Sequence, residues 1–100
     1  MTVKLLMTWD ILPNMEQEYF EFVISDFIPE IKQLGISPVN LWYTLYGDQP
    51  QIMVVARTQS QSALNVVLAS KEWQLLLENL LKFAGNFSYK IVPARTGFQL

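Results

Sequence analysis

Cysteine and histidine are both missing from this 100-residue chain. Without cysteine there is no disulfide framework, no thiolate zinc site, no iron–sulfur cluster and no thiol nucleophile. Without histidine there is no imidazole-based serine triad, no imidazole metal ligand and no histidine-ligated haem. The chain is therefore expected to use no metal and no cofactor. Charge is scarce too: charged residues are 16% of the chain, against about 25% in ordinary domains. The basic residues Lys82, Lys90 and Arg95 are too widely spaced for the stripe that neutralises phosphates, so nucleic acid is not an expected partner. Four glycines give no phosphate-cradling loop. Glu16, Glu18, Glu21 and Glu30 read as helix-surface carboxylates with no converging partners for a metal. No apolar run reaches the ~18 residues of a membrane span. The opening MTVKLLMTWDILP, broken by Thr8, Trp9 and Asp10, reads as a strand and not as a signal peptide, and the expected location is cytoplasmic. Asn86-Phe87-Ser88 matches a glycosylation sequon, which without a secretory signal is coincidence.

What the chain does have is apolar surface: 51% hydrophobic and 13% aromatic residues. Its length suits one domain over residues 1–100. Residues 3–11 alternate, with Leu5, Met7, Trp9 and Ile11 against Lys4, Leu6, Thr8 and Asp10, the period of a strand. Asn14 with Gln17 has the spacing of a capping box. A helix is predicted from about Met15 to Leu34, its apolar arc formed by Phe20, Val23, Ile24, Phe27, Ile31 and Leu34. Pro29 removes a donor inside it, so a kink is expected near 25–28. Gly35 suits the left-handed position beyond the helix. Residues 38–46 and 51–57 read as a hairpin about the turn 47–50. Ala63, Leu64, Val67 and Leu68 mark a short helix. Ser70 caps a longer one carrying Trp73, Leu76, Leu77, Leu80, Leu81 and Ala84, which Gly85 ends. Residues 87–92 form the last strand.

The order is β-α-β-β-α-β, the ferredoxin-like α+β plan: a four-stranded antiparallel sheet with both helices on one face. Such a sheet normally has one apolar and one wet side. Here both sides carry apolar residues. Trp42, Tyr46, Met53 and Val55 fall on the side without helices, and a lone subunit would expose them. If they showed ~300 Å² together, covering them would contribute about 7 kcal/mol at ~25 cal/mol/Å². That is of the order of the cost of association. A homodimer is the expected state.

The βαββαβ order, the helix run EYFEFVISDFIPEIKQLG, the hairpin LWYTLYGDQPQIMVVAR, the stretch LASKEWQLLLENL and the closing YKIVPA resemble the dimeric α+β barrel superfamily. Within it the chain is most similar to the antibiotic-biosynthesis-monooxygenase-like and NIPSNAP-like groups. The resemblance implies two ferredoxin-like subunits closing their sheets face to face. It implies a tail, 94–100, whose Phe98 and Leu100 pack near the partner. It also implies a cavity in which a phenol or enol can react with oxygen without a cofactor. Several relatives carry a histidine near the position of Trp73, and its absence here argues against haem degradation.

The candidate ligand-binding residues are Trp9, Asp10, Tyr43, Arg57 and Trp73. Aromatic rings with a hydroxyl or indole N–H suit a mostly apolar pocket, and Asp10 and Arg57 would anchor its polar end. An ordinary aromatic core, and Asp10 and Arg57 paired with each other or with water, would explain the same residues. The candidate dimer-interface residues are Trp42, Tyr46, Met53, Val55 and Phe98. Two functions follow. One is binding or turnover of a small apolar, aromatic or enolic compound. The other is a non-catalytic structural or interaction module with a filled core. A cavity of ~300 Å³ or more touched by Tyr43, Trp73 or Arg57 favours the first.

Overall fold

The computed structural model describes residues 2–44 and 51–93. The expected turn 47–50, Tyr46, and the tail with Phe98 and Leu100 lie outside the described residues.

The chain folds as β1 (Val3–Ile11), α1 (Glu16–Phe22), a π-helical segment (Val23–Phe27), α2 (Ile28–Gln33), β2 (Ser37–Tyr43), β3 (Ile52–Thr58), α3 (Gln61–Leu68), α4 (Lys71–Leu80) and β4 (Ala84–Pro93). The four strands make one antiparallel sheet in the order β2-β3-β1-β4. This is the ferredoxin-like α+β fold that the order of elements predicts. On β1, Val3, Leu5, Met7, Trp9 and Ile11 are buried and the residues between them half-buried. Period-two alternation thus translates directly into a core face.

The expected kink in the first helix takes a specific form. Five residues wind as a π segment, and the Ile28 N–H donates to the Val23 carbonyl five residues back. Pro29, at the start of α2, has no N–H to continue an α-helical ladder. A wider turn just before it absorbs the defect. The segment also resets the buried face. Tyr19, Val23, Phe27 and Ile31 are buried at a uniform spacing of four. In a pure α-helix that spacing drifts by about 40° per step, and a wide turn takes up part of the drift. Two expected core residues therefore lie outside: Phe20 is partly exposed and Ile24 is 71% exposed, while Tyr19 takes the inner place.

Other expectations change at element ends. Asn14 is not a cap. It sits at φ 65° in the turn after β1, whereas a capping residue needs extended backbone. Met15 precedes the helix without a side-chain cap. Gly85 does not end α4, which stops at Leu80, but lies within β4 opposite Asp10. Ala84 is buried from that strand, and Leu81, outside α4, is partly exposed. Ser70 is the predicted cap: its Oγ accepts from the Trp73 N–H at 3.1 Å. Ser60 caps α3 in the same way, accepting from the Ala63 N–H at 3.0 Å.

The helices cover the central strands and leave the edges. Ile52 and Val54 on β3 are buried, while Leu41 and Tyr43, their register partners on β2, are about half exposed. On the face away from the helices, Trp42 is 49% exposed and Met53 half-buried. Val55 departs from the expectation: it is only 4% exposed within this one chain. It is a short side chain on an interior strand, flanked by Leu6 and Asn40, and needs no partner to cover it.

Candidate functional site

The aromatic residues expected to line a cavity beneath the helices pack against one another instead. Trp9 sits on the interior strand β1, edge-on to Tyr19 and Phe27 at ring-centroid distances of 6.5 and 5.6 Å, and stacked on Phe87 at 6.0 Å. Its indole Nε1–H donates to the Tyr19 hydroxyl at 2.8 Å. Both groups are buried, so the bond satisfies two polar atoms that would otherwise be costly to hide. Burial pushes the Tyr19 phenol up to about 12, with the Trp9 hydrogen bond working in the opposite direction. Trp73 is likewise a core residue, on the buried side of α4 with Leu76 and Leu80. Trp9 and Trp73 thus both pack within the core. Among the described residues, no buried side-chain nitrogen or oxygen lacks a partner.

Tyr43 lies at the end of β2, half exposed, with its ring 6.1 Å from Phe20. Asp10 is a tie between strands. One carboxylate oxygen accepts from the Gln51 N–H at 3.0 Å and the other from the Asn86 side-chain amide at 2.9 Å. Gln51 answers by accepting the Ile11 N–H on its Oε1 at 2.7 Å. The Asn86 amide, then the Gln51 N–H, hold the Asp10 carboxyl below its ordinary range. This tie anchors the return strand of the hairpin and the irregular start of β4, where the register shifts between Thr8 and Asp10.

Arg57 and Asp10 do not meet. Arg57 pairs in register with Lys4, six residues before Asp10 on β1, which at ~3.3 Å per residue is roughly 20 Å. Within one chain the two are too far apart to pair or to anchor one small pocket together.

Of the five candidates, Arg57 alone stands at a cleft of ≈ 450 Å³ at the opposite end of the sheet. The cleft lies between the turn leading from α2 to β2 and the first turns of α3, and is open to solvent on one side. Leu34, Ile36, Leu64 and Val67 supply apolar walls; Thr2, Ser37, Thr58 and Gln59 supply neutral polar groups. One wall is set by a tight helix end. The Gly35 N–H donates to the Lys32 carbonyl and the Ile36 N–H to the Ile31 carbonyl, at 3.1 and 2.8 Å, with Gly35 at φ 90°. This pair of bonds is the Schellman arrangement, completed here by the burial of both Ile31 and Ile36. The opposite wall is fixed by the Ser60 cap of α3. Thr58, buried between them, donates its hydroxyl to the Val3 carbonyl at 3.4 Å.

The cleft is not visible in the sequence as a linear motif. Its walls come from residues 34–37, 57–59 and 63–67 together with Thr2, and only the antiparallel register brings those segments to one end. The useful signals are the Gly35-Ile36 helix end and the apolar spacing of Leu64 and Val67. Among the described residues no three metal-ligating side chains of the His, Cys, Asp or Glu type converge. No helix among them is long and apolar enough to cross a membrane.

No protein-family model matches the chain, and no curated protein matches it in sequence. Solved structures do match it in shape. An uncharacterised NIPSNAP-like domain protein from Burkholderia xenovorans superposes with a TM-score of 0.71 at 16% identity, over 99% of this chain and 90% of that one. A NIPSNAP family protein from Agrobacterium tumefaciens gives 0.71 at 14%, over 96% and 95%. SnoaB from Streptomyces nogalater, a cofactor-independent oxygenase, gives 0.68 at 14%, over 96% and 95%. At these identities the similarity is one of fold. It is the fold that the βαββαβ order and the quoted sequence runs implied.

Proposed function

We propose that this chain is a small-molecule-binding protein whose ligand occupies the cleft between the α2–β2 turn and α3, and that two copies associate through the sheet face that carries Trp42. The observation that carries the binding reading is the cleft itself. It is ≈ 450 Å³ and walled by aliphatic side chains, with neutral polar groups from Thr2, Ser37, Thr58 and Gln59 among its described lining residues. Its size and its mix of apolar walls with few polar groups are those of a ligand site. The dimer reading is supported by the half-exposed Trp42 and the half-buried Leu6, Met53 and Val92 on a sheet face that the chain's helices leave uncovered.

The fold shared with a cofactor-independent oxygenase gives the reading a catalytic form. Among the described residues, the lining contains no carboxylate, imidazole, amine or phenol able to take a proton. Oxygenation or isomerisation there would need a substrate already ionised as an enolate. Binding alone asks less of these residues and is the primary reading. The filled aromatic interior around Trp9 favours a non-catalytic protein over one that reacts its substrate beneath the helices.

The test is a fragment screen followed by backbone amide resonances, on the natural chain and on a Val67→Trp variant that fills the cleft. Hits should shift the amides of 34–37, 58–59 and 63–67 in the natural chain and leave them unmoved in a folded Val67→Trp. Hits that map elsewhere, or that Val67→Trp does not block, would overturn the reading.

A further inference from the structure

We infer that the sheet face away from the helices carries an anion site, formed by Lys4, Arg57 and Lys90, that takes a phosphate or a phosphate monoester. The site lies across the sheet from the helix-side walls of the cleft. It needs neither the cleft nor a second copy of the chain.

Register brings the three cations together, although they are far apart in sequence. Arg57 borders the cleft along the chain, but strand parity puts its side chain on the face of Met53 and Val55. Its register partner on β1 is Lys4. On the other side of β1, Lys4 pairs with Val92, and Leu6, the next residue on the same face, pairs with Lys90. Lys4 and Arg57 therefore stand directly opposite, their Cβ atoms about 5 Å apart, and Lys90 is a diagonal neighbour of Lys4 at roughly 7–8 Å. Three long side chains rooted this closely can converge on one group. Arg57 and Lys90 are exposed and Lys4 is half-buried.

No acidic side chain stands beside them. Among the described residues the acid on this face is Asp10, six residues along β1 from Lys4, which is roughly 20 Å. Its two oxygens already accept from the Gln51 N–H and the Asn86 amide. Every other acidic residue except Asp48 stands on the helical elements, which cover the opposite face. Asp48 belongs to the segment between β2 and β3, which those strands meet at the Asp10 end of the sheet. Residues 94–100 contain Arg95 and no acidic side chain. Like charges directly opposite destabilise a sheet. Here three gather at one end of one face, in a chain whose net charge is -2.

The number of charges selects the ligand. A carboxylate brings one negative charge and would leave cations facing one another. A phosphate monoester brings nearly two, with three acceptor oxygens. The Arg57 guanidinium is a planar fork that can hold two of those oxygens, while Lys4 and Lys90 act as point charges. The half-buried Leu6 and Val92 stand among the cations. Their apolar surface displaces water and weakens its screening of the attraction.

The experiment is a titration of the full chain with inorganic phosphate, phenyl phosphate and acetate, followed by backbone amide resonances. It is run at low, constant ionic strength and at a pH above the second ionisation of phosphate. Both phosphates should shift the amides of 4–6, 55–57 and 90–92 and leave those of the cleft wall 63–67 unmoved. Acetate should bind at least about tenfold more weakly, the size of one charge-assisted contact. Arg57→Gln and Lys90→Gln, both at exposed positions, should each weaken phosphate by about tenfold. Lys82→Gln, at an exposed cation beyond α4, should leave it unchanged. Phenyl phosphate binding more tightly than inorganic phosphate would assign the site to an ester, and equal affinity to the free ion. Acetate binding as tightly as phosphate would overturn the dianion. Phosphate binding untouched by both Arg57→Gln and Lys90→Gln, or weakened as much by Lys82→Gln, would overturn the site. So would shifts confined to the cleft wall.

Discussion

The hydrogen bond from the Trp9 indole to the Tyr19 hydroxyl (2.8 Å) makes a residue that looked like a ligand contact into part of the core. Tyr19→Phe would keep the ring and delete the acceptor, leaving a buried indole N–H unpaired. Such an orphan costs about 1–3 kcal/mol, measurable as a lower urea midpoint at neutral pH. Burial of the same phenol makes a prediction about alkali. The Tyr19 phenol is held up to about 12 by burial, while in the unfolded chain it ionises near 10. Between these values the unfolded state has lost a proton that the folded state keeps, so stability falls as pH rises through that window. The loss approaches about 3 kcal/mol at its upper end. Tyr19→Phe should flatten that fall, and tyrosinate absorbance should report one phenol ionising later than the others. Asp10 has the opposite sign. Its carboxyl is held low by the Asn86 amide and the Gln51 N–H, so its stabilisation is fully present above the unfolded value near 3.9. That stabilisation disappears as pH drops through the folded value. Asp10→Asn puts an NH₂ against one of two donors and should cost about 1 kcal/mol at pH 7. The variant should also lose this part of the acid dependence, which urea titrations at several pH values would reveal.

Elements explain why part of the chain was readable and part was not. Strand β1 was legible residue by residue, because every second side chain is buried without interruption and a strand has only two faces to choose between. The Ser70 cap was legible because the hydroxyl, the spacing to Trp73 and the following apolar arc all agree. The first helix was legible as a helix but not in its facing. Its wheel assumes one constant pitch, and the π segment before Pro29 breaks that assumption. The cost of that assumption was Tyr19, left out of the core, and Ile24, put into it. Strand β2 kept its predicted parity yet not its burial. An edge strand, with Pro38 and a register shift beside it, is a place where pairing is interrupted. Among the site candidates Arg57 alone met the cleft, since a cavity walled by distant segments leaves no spacing signal. The helix end at Gly35 ties this scale to the site. A methyl group there would meet nothing within 4 Å, but the backbone sits at φ 90°, which costs an L-residue about 1–2 kcal/mol. Gly35→Ala should therefore lower stability by that order through strain alone. It should also disturb the amides of Leu34 to Ser37 more than those of the α3 wall, a pattern that amide shifts can separate from global loosening.

At the scale of the whole molecule the sheet is asymmetric in its cover. One face is closed by helices and holds the aromatic core. The other carries Trp42, 49% exposed on the edge strand β2 beside the half-buried Met53, with half-buried Leu6 and Val92 farther across the same face. Val55 on that face is already buried within one chain, so the gain from association rests on fewer side chains than composition suggested. Covering half of a tryptophan, roughly 100 Å², contributes about 2.5 kcal/mol, and a symmetric pair about 5 kcal/mol. Association costs from about 4 kcal/mol upward. Trp42 alone is therefore marginal, and the proposed dimer needs Leu6, Met53 and Val92 as well. That balance makes the dimer sensitive to a single charge. Trp42→Glu removes the most exposed of these apolar side chains and asks two carboxylates to share a desolvated face. Light scattering should show the natural chain at twice 11.6 kDa and Trp42→Glu at the single value, with the helical and sheet signals unchanged because the side chain lies on an edge strand. Ile24→Glu is the matching control. Ile24 is 71% exposed on the helix side, and its substitution should leave the mass doubled. A natural chain of single mass, or a Trp42→Glu that stays doubled while Ile24→Glu dissociates, would move the contact off this face. The cleft at Arg57, built from one chain's own segments, would then stand as a monomer's binding site.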